Sequence, residues 1–175
     1  MITTPLVGEP SRRTLVALME DKPGVLSHVV NLFRRRNYNI ESLTVGHTET
    51  EGISRMTVVV NATDAVLEQV IKQLYKLINV TKVTELTDDA AVIRELALIK
   101  VHGTSADRAE IKQLVDIFRA SIIDVSHESL TIEITGTEDK VDSLIEMLRP
   151  FGIKELTRTG RVAMMRGAAH STSTR

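Results

Sequence analysis

The residues best placed to do chemistry lie in one short run, Glu20-Asp21-Lys22-Pro23-Gly24-Val25-Leu26. A mostly apolar, β-compatible segment, Thr14 to Met19, leads into it. Helical periodicity follows, with Leu26, Val29, Val30 and Phe33 at i, i+3, i+4 and i+7. Asp21 to Gly24 supplies the turn between them. Pro23 suits a first helical turn, where its missing N–H does no harm. Gly24 has no side chain, so another molecule can approach its backbone closely. Such a turn ends in a helix N-terminus with free amides and positive dipole character, a natural seat for a small carboxylate.

Other chemistry is hard to assemble. The chain has no cysteine, which excludes disulfides and thiolate metal sites. His28, His47, His102, His127 and His170 are scattered without metal-ligand spacing. Ser27 and His28 are adjacent on a helix and do not face each other. Glu20 and Asp21 have the types of a general acid/base pair, but carboxylates at a strand end more often cap or face water. No G-x-G-x-x-G or Walker loop is present. The expected catalytic and metal residues are therefore none. Arg34-Arg35-Arg36 falls in the last turn of the first helix, where it complements the negative helix end. A net charge of −1 argues against a phosphate backbone as the main ligand. At 3% aromatic residues there is little from which to build a base-stacking platform. There is no apolar run of membrane-spanning length, and Met1 to Ser11 lacks the apolar core of a signal peptide. The expected location is cytoplasmic, with neither nucleic acid nor membrane as partner.

The elements that must position the turn occur in a repeating order. Strands are expected at Arg12–Met19, Asn39–Thr48, Ile53–Ala62 and Val80–Leu86. Helices are expected at Gly24–Arg36 and, after a Thr63/Asp64 capping signal, at Asp64–Ile78. The order is β-α-β-β-α-β. Thr87-Asp88-Asp89 makes a polar boundary, and the order begins again. Strands are expected at Glu95–His102, Ile122–Ser126, Leu130–Thr135 and Ile153–Thr157. Helices are expected at Asp107–Ala120, after a cap in Gly103-Thr104-Ser105, and at Glu138–Leu148. Ile117-Phe118-Arg119 falls near the end of its helix as Leu32-Phe33-Arg34 does, the mark of a duplicated unit.

The expected fold class is α+β, with two tandem ferredoxin-like βαββαβ sandwiches. The expected division is a flexible arm over 1–11, domains over 12–87 and 88–160, and a tail over 161–175. The run Met56 to Val60 is apolar toward both faces of its sheet. That second face is expected to be covered by the other unit or another subunit, with a homodimer as the default. An RNA-recognition module has the same order but needs aromatics on its middle strands, and here they have none.

Glu20 to Leu26, together with Leu32-Phe33-Arg34-Arg35-Arg36-Asn37-Tyr38-Asn39-Ile40-Glu41-Ser42-Leu43, resembles an ACT domain. Further stretches resemble the small regulatory subunits of acetolactate synthase (acetohydroxyacid synthase). They are Ser54-Arg55-Met56-Thr57, Arg94-Glu95-Leu96, Ile122-Ile123-Asp124-Val125, Pro150-Phe151-Gly152-Ile153 and Arg158-Thr159-Gly160. The resemblance spans about Arg12 to Gly167. It implies an ACT domain over 12–87 and a chain without catalysis of its own. The implied partner is a large catalytic subunit that carries thiamine diphosphate, magnesium and FAD, none of them held by this chain. The chain would activate that subunit and make it sensitive to valine or a related branched-chain amino acid. The effector would lie between the ACT domains of a homodimer. Asp21, Gly24, Val25 and Leu26 would come from one chain, and Asn39 and Ile40 from the other. The amides of Gly24 to Leu26 would hold the carboxylate, Asp21 would accept from the ammonium, and Asn39 would bridge both. Many family members have Asn where Asp21 stands, and the added negative charge is expected to weaken or retune effector binding. The second unit has Gly103-Thr104-Ser105 in place of the Asp-x-Pro-Gly turn and is expected to bind no amino acid. A free-standing ACT-type sensor that regulates another protein is the alternative.

Overall fold

The computed structural model describes residues 9–86 and 91–167. Most of the expected arm, the polar boundary and the end of the tail lie outside the described residues. The described chain divides into two compact units. One runs up to Val92 and resumes at Ala163; the other is Ile93–Val162.

In the first unit, β1 (Ser11–Glu20), α1 (Val25–Arg35), β2 (Ile40–His47), β3 (Ile53–Ala62), α2 (Asp64–Leu74) and β4 (Val80–Leu86) follow the β-α-β-β-α-β order. The antiparallel sheet is ordered β2-β3-β1-β4, so β2 is an edge strand. Both helices pack on one face, over Leu15, Ala17, Met19, Met56, Val58 and Val60. The helix residues that reach this core are Val25, Val29, Leu32 and Phe33 from α1 and Leu67, Val70 and Leu74 from α2. Phe33 also meets the Tyr38 ring edge-to-face, 6.3 Å between centroids.

Two expectations change here. Leu26 and Val30 are 38% and 39% exposed, and Val25 and Leu32 point inward instead. α1 has more apolar residues than its buried stripe needs, so periodicity alone cannot say which edge of the arc faces in. α2 stops at Leu74, with Tyr75 as its cap, and Ile78 is 94% exposed rather than part of the stripe. The Tyr75 hydroxyl bonds both the carbonyl and the amide of Val83, 3.0 and 3.1 Å, which ties the helix end to β4.

The second unit holds β5 (Ala91–His102, beginning in the first unit), α3 (Arg108–Ile117), β6 (Ser121–Val125), β7 (Ser129–Gly136), α4 (Glu138–Leu148) and β8 (Ile153–Arg158). Its sheet is ordered β6-β7-β5-β8, and a further strand, β9 (Val162–Met165), pairs with β5. β9 lies within the stretch expected to be tail. α3 begins behind Asp107, whose carboxylate accepts from the Thr104 hydroxyl at 2.6 Å, so the cap lies later than Gly103-Thr104-Ser105.

The duplication is real in geometry but is aligned differently from the Phe33 and Phe118 match. Both first helices end in a left-handed residue, Asn37 (φ 56°) and Arg119 (φ 51°). The next amides reach back in the same way, Tyr38 N to Phe33 O and Ala120 N to Val115 O. This is a Schellman ending, in which the residue past the left-handed one closes on the carbonyl five positions back. It matches Phe33 with Val115, both buried.

The second faces of the two sheets differ. In the first unit Val16, Thr57 and Val59 are only 1–4% exposed on the face away from the helices. Arg55 on that face donates to the Ala163 carbonyl at 2.9 Å. In the second unit β7 alternates, with Leu130, Ile132 and Ile134 buried and Thr131 and Glu133 partly exposed. Its helix-free face carries Lys100, Thr131, Glu155 and Thr157 around a shallow cavity of about 200 Å³. The covered second face is thus a property of the first unit.

Candidate effector site at the β1–α1 turn

Gly24 is the N-cap of α1 and has φ 87°, a left-handed conformation that L side chains enter at a strain. A Cβ at Gly24 would meet nothing within 4 Å, so the space in front of it is open. Pro23 lies before the cap, outside the helix. The Val25 amide is already bonded to the Lys22 carbonyl at 3.3 Å. The Gly24, Leu26 and Ser27 amides have no hydrogen-bond partner among the described residues. The amides left open at this turn are therefore those of Gly24, Leu26 and Ser27, while that of Val25, in the expected set, is occupied by the Lys22 carbonyl.

The neighbouring carboxylates are tied separately. Glu20 accepts from the Asn79 amide at 2.5 Å and pairs with Lys22 at 3.1 Å. The Asn79 hydrogen bond, followed by that of Lys22, holds the Glu20 carboxyl below the usual carboxylate range. Asp21 faces His47 at the end of β2, 3.0 Å from its Nδ1. The two carboxylates do not form an acid/base pair. No sequence motif links His47 to this turn, because only strand pairing brings the end of β2 beside the end of β1.

Asn39 and Ile40 stand elsewhere in the same unit. Ile40 packs at the margin of the core and Asn39 is exposed. Ile40 is in register with Val60, and Val60 with Arg13. Glu41 bonds Arg12 at 2.5 Å, at the first residues of β1, whereas Asp21 follows the last. At about 3.4 Å per residue the two halves of the site are some 30 Å apart along β1. One copy of the chain brings Asp21, Gly24, Val25 and Leu26 together and leaves Asn39 and Ile40 at the opposite end of the sheet.

Among the described residues no group of three or more histidine or carboxylate side chains is arranged to hold a metal ion, and no helix is long and apolar enough to cross a membrane.

The family described as the small subunit of acetolactate synthase matches residues 94–167, and the AHAS small subunit-like ACT domain matches residues 15–82. The acetolactate synthase small subunit of Mycobacterium bovis is 53% identical over 158 residues, covering 90% of this chain and 94% of that one. That of Bacillus subtilis is 47% identical over 163 residues, covering 93% and 95%. The crystal structure of the small subunit from Thermotoga maritima superposes with a TM-score of 0.85 at 47% identity, covering 90% of this chain and 98% of that one. The two matched segments carry the turn at Gly24 in one unit and the Glu95 and Arg158 stretches in the other, and the chain belongs to the acetolactate synthase small-subunit family.

Proposed function

We propose that this chain is the non-catalytic regulatory subunit of acetolactate synthase. It activates the large catalytic subunit and makes it subject to feedback by valine or a related branched-chain amino acid. Thiamine diphosphate, magnesium and FAD then belong to the catalytic subunit, which condenses pyruvate with a second 2-oxo acid. The observation that carries the effector site is the separation of its two halves along a sheet with β2 at its edge.

A homodimer formed by β2 pairing with β2 across a two-fold axis is antiparallel. The start of one β2, with Asn39 and Ile40, then opposes the end of the other, where His47 meets Asp21. The turn of one protomer and the strand start of its partner come within reach of one amino acid. Free amides at Gly24, Leu26 and Ser27 take the carboxylate. Asp21 takes the ammonium, and Leu26 and Ile40 provide an apolar wall for a branched side chain. The half-exposure of Leu26 and Val30 supports an interface on this edge.

Effector binding across that interface favours one arrangement of the two chains. The catalytic subunit favours the other, so effector and activation are reciprocally coupled. The test is acetolactate formation by the catalytic subunit, alone and with this chain, across a valine titration. Activity rises on addition of the chain and falls with valine. Activation without a valine response retains the partner and removes the effector. No activation leaves a sensor of another protein as the reading.

A further inference from the structure

The flank of α1 opposite Leu26 and Val30 takes no part in the site proposed above. At about 100° per residue, His28, Asn31 and Arg35 share that flank, with Arg34 next to them toward solvent. With Leu77, beyond the end of α2, they line an open groove of about 440 Å³. Its charge is one-sided. α1 contains no acidic residue. Among the described residues neither Arg34 nor Arg35 meets a carboxylate, and Arg35 donates only to the Asn31 carbonyl at 3.4 Å. The other helices each hold an ion pair: Lys72 with Glu68 on α2 (2.6 Å), Lys112 with Asp116 on α3 (2.9 Å) and Arg149 with Glu146 at the end of α4 (2.8 Å). The helix dipole accounts for arginines in the last turn of α1. It does not account for a groove that they share with His28, about two turns nearer the helix start, and an apolar wall at Leu77.

We propose that this groove docks an acidic segment of the catalytic subunit, an inference that rests on the regulatory-subunit reading. Two guanidinium groups can fork onto carboxylates, and Leu77 offers contact to an aliphatic stem. No Phe, Tyr or Trp lines the groove, and its apolar wall at Leu77 suits an aliphatic side chain, which favours a protein segment over a nucleotide. The groove opens on the flank of α1 turned toward α2, away from the β2 edge, so both grooves of a β2-paired dimer stay accessible.

The experiment measures binding of the full chain to the catalytic subunit at rising salt, for the wild type, Arg34→Glu/Arg35→Glu and Arg34→Lys/Arg35→Lys. The Glu pair weakens binding about tenfold or more at low salt and flattens the salt dependence, while the Lys pair, which keeps the charge and loses the fork, falls between the Glu pair and wild type. Valine binding and dimer mass are unchanged in both variants. An equal Kd for the wild type and the Glu pair overturns the groove alone. Loss of the dimer in the Glu pair also overturns it, with a second copy as the occupant. Binding of inorganic tripolyphosphate is measured alongside as a probe for a free phosphate ligand, and its loss in the Glu pair with catalytic-subunit affinity intact also overturns the groove as a protein dock. Failure of the wild type to bind the catalytic subunit overturns both readings.

Discussion

Gly24 carries two separate demands, one on its backbone and one on the space in front of it. The left-handed φ of 87° makes Gly24→Ala cost about 1 kcal/mol by strain alone, since its Cβ has room. Gly24→Asp adds a charge where the effector carboxylate is proposed to sit. It is expected to abolish the valine response in the acetolactate assay and leave activation near wild type. Loss of both activities together would argue that the two sites are not separate. Glu20 gives a pH signature. Asn79 and Lys22 depress its folded carboxyl, so its contribution to stability is present above the usual carboxylate range and is lost as pH falls through the depressed value. As pH falls through and below the usual carboxylate range, Glu20→Gln is expected to flatten the loss of stability seen in the wild type by denaturant titration. At Arg119 the left-handed conformation lacks a glycine. Arg119→Gly is expected to raise stability by about 0.5–1 kcal/mol, read as a higher midpoint in the same titration.

At the scale of elements, ion pairs and strand register explain stretches that read only as family signatures. Arg94-Glu95-Leu96 and Arg158-Thr159-Gly160 meet across the β5–β8 edge. Glu95 is 5% exposed and accepts two bonds from Arg158, at 2.5 and 3.2 Å. Arg158 also reaches Asp142 at 2.6 Å, and Leu96 and Thr159 bond each other in both directions. Burial opposes the Arg158 charge, but these two carboxylates outweigh it and raise its pKa. Arg158→Ala leaves the Glu95 carboxylate buried without a partner, and a loss of about 3 kcal/mol is expected in chemical denaturation. Arg158→Met with Glu95→Leu is expected to recover most of it, because the pair holds charge rather than apolar area. These stretches therefore hold the second unit together. The proposed effector site falls on the first, where α1 starts with unpaired amides.

At the scale of the whole molecule, the proposed site needs a second chain. Val30 is exposed on the flank of α1 turned away from α2, beside the free edge at β2. Val30→Glu is expected to weaken the dimer about tenfold by sedimentation and to weaken valine binding with it, because Asn39 and Ile40 come from the partner. A monomer that still binds valine at wild-type affinity would place the effector within one chain. The contrast between the sheets follows the same logic. The first unit hides both faces of its sheet, whereas the second presents Lys100, Glu155 and their neighbours to water on the helix-free face.

The sequence by itself determined the element order, the turn at Asp21 to Gly24 and the family. The first two rest on local signals, turn residues, capping residues and a period of two or 3.6 read over short windows, and the family rests on short stretches that resemble those of known members. Tertiary structure decided which edge of the apolar arc of α1 faces inward, where α2 stops, and that Phe33 matches Val115 rather than Phe118. It also decided that residues 162–165 form a strand, that His47 stands beside Asp21, and that Glu95 is neutralised by Arg158. Each of these depends on strand register or on contacts between residues far apart in the chain. One sheet holds Asp21 and Ile40 about 30 Å apart although the loop and helix between them are short, and no local pattern in the sequence encodes that distance.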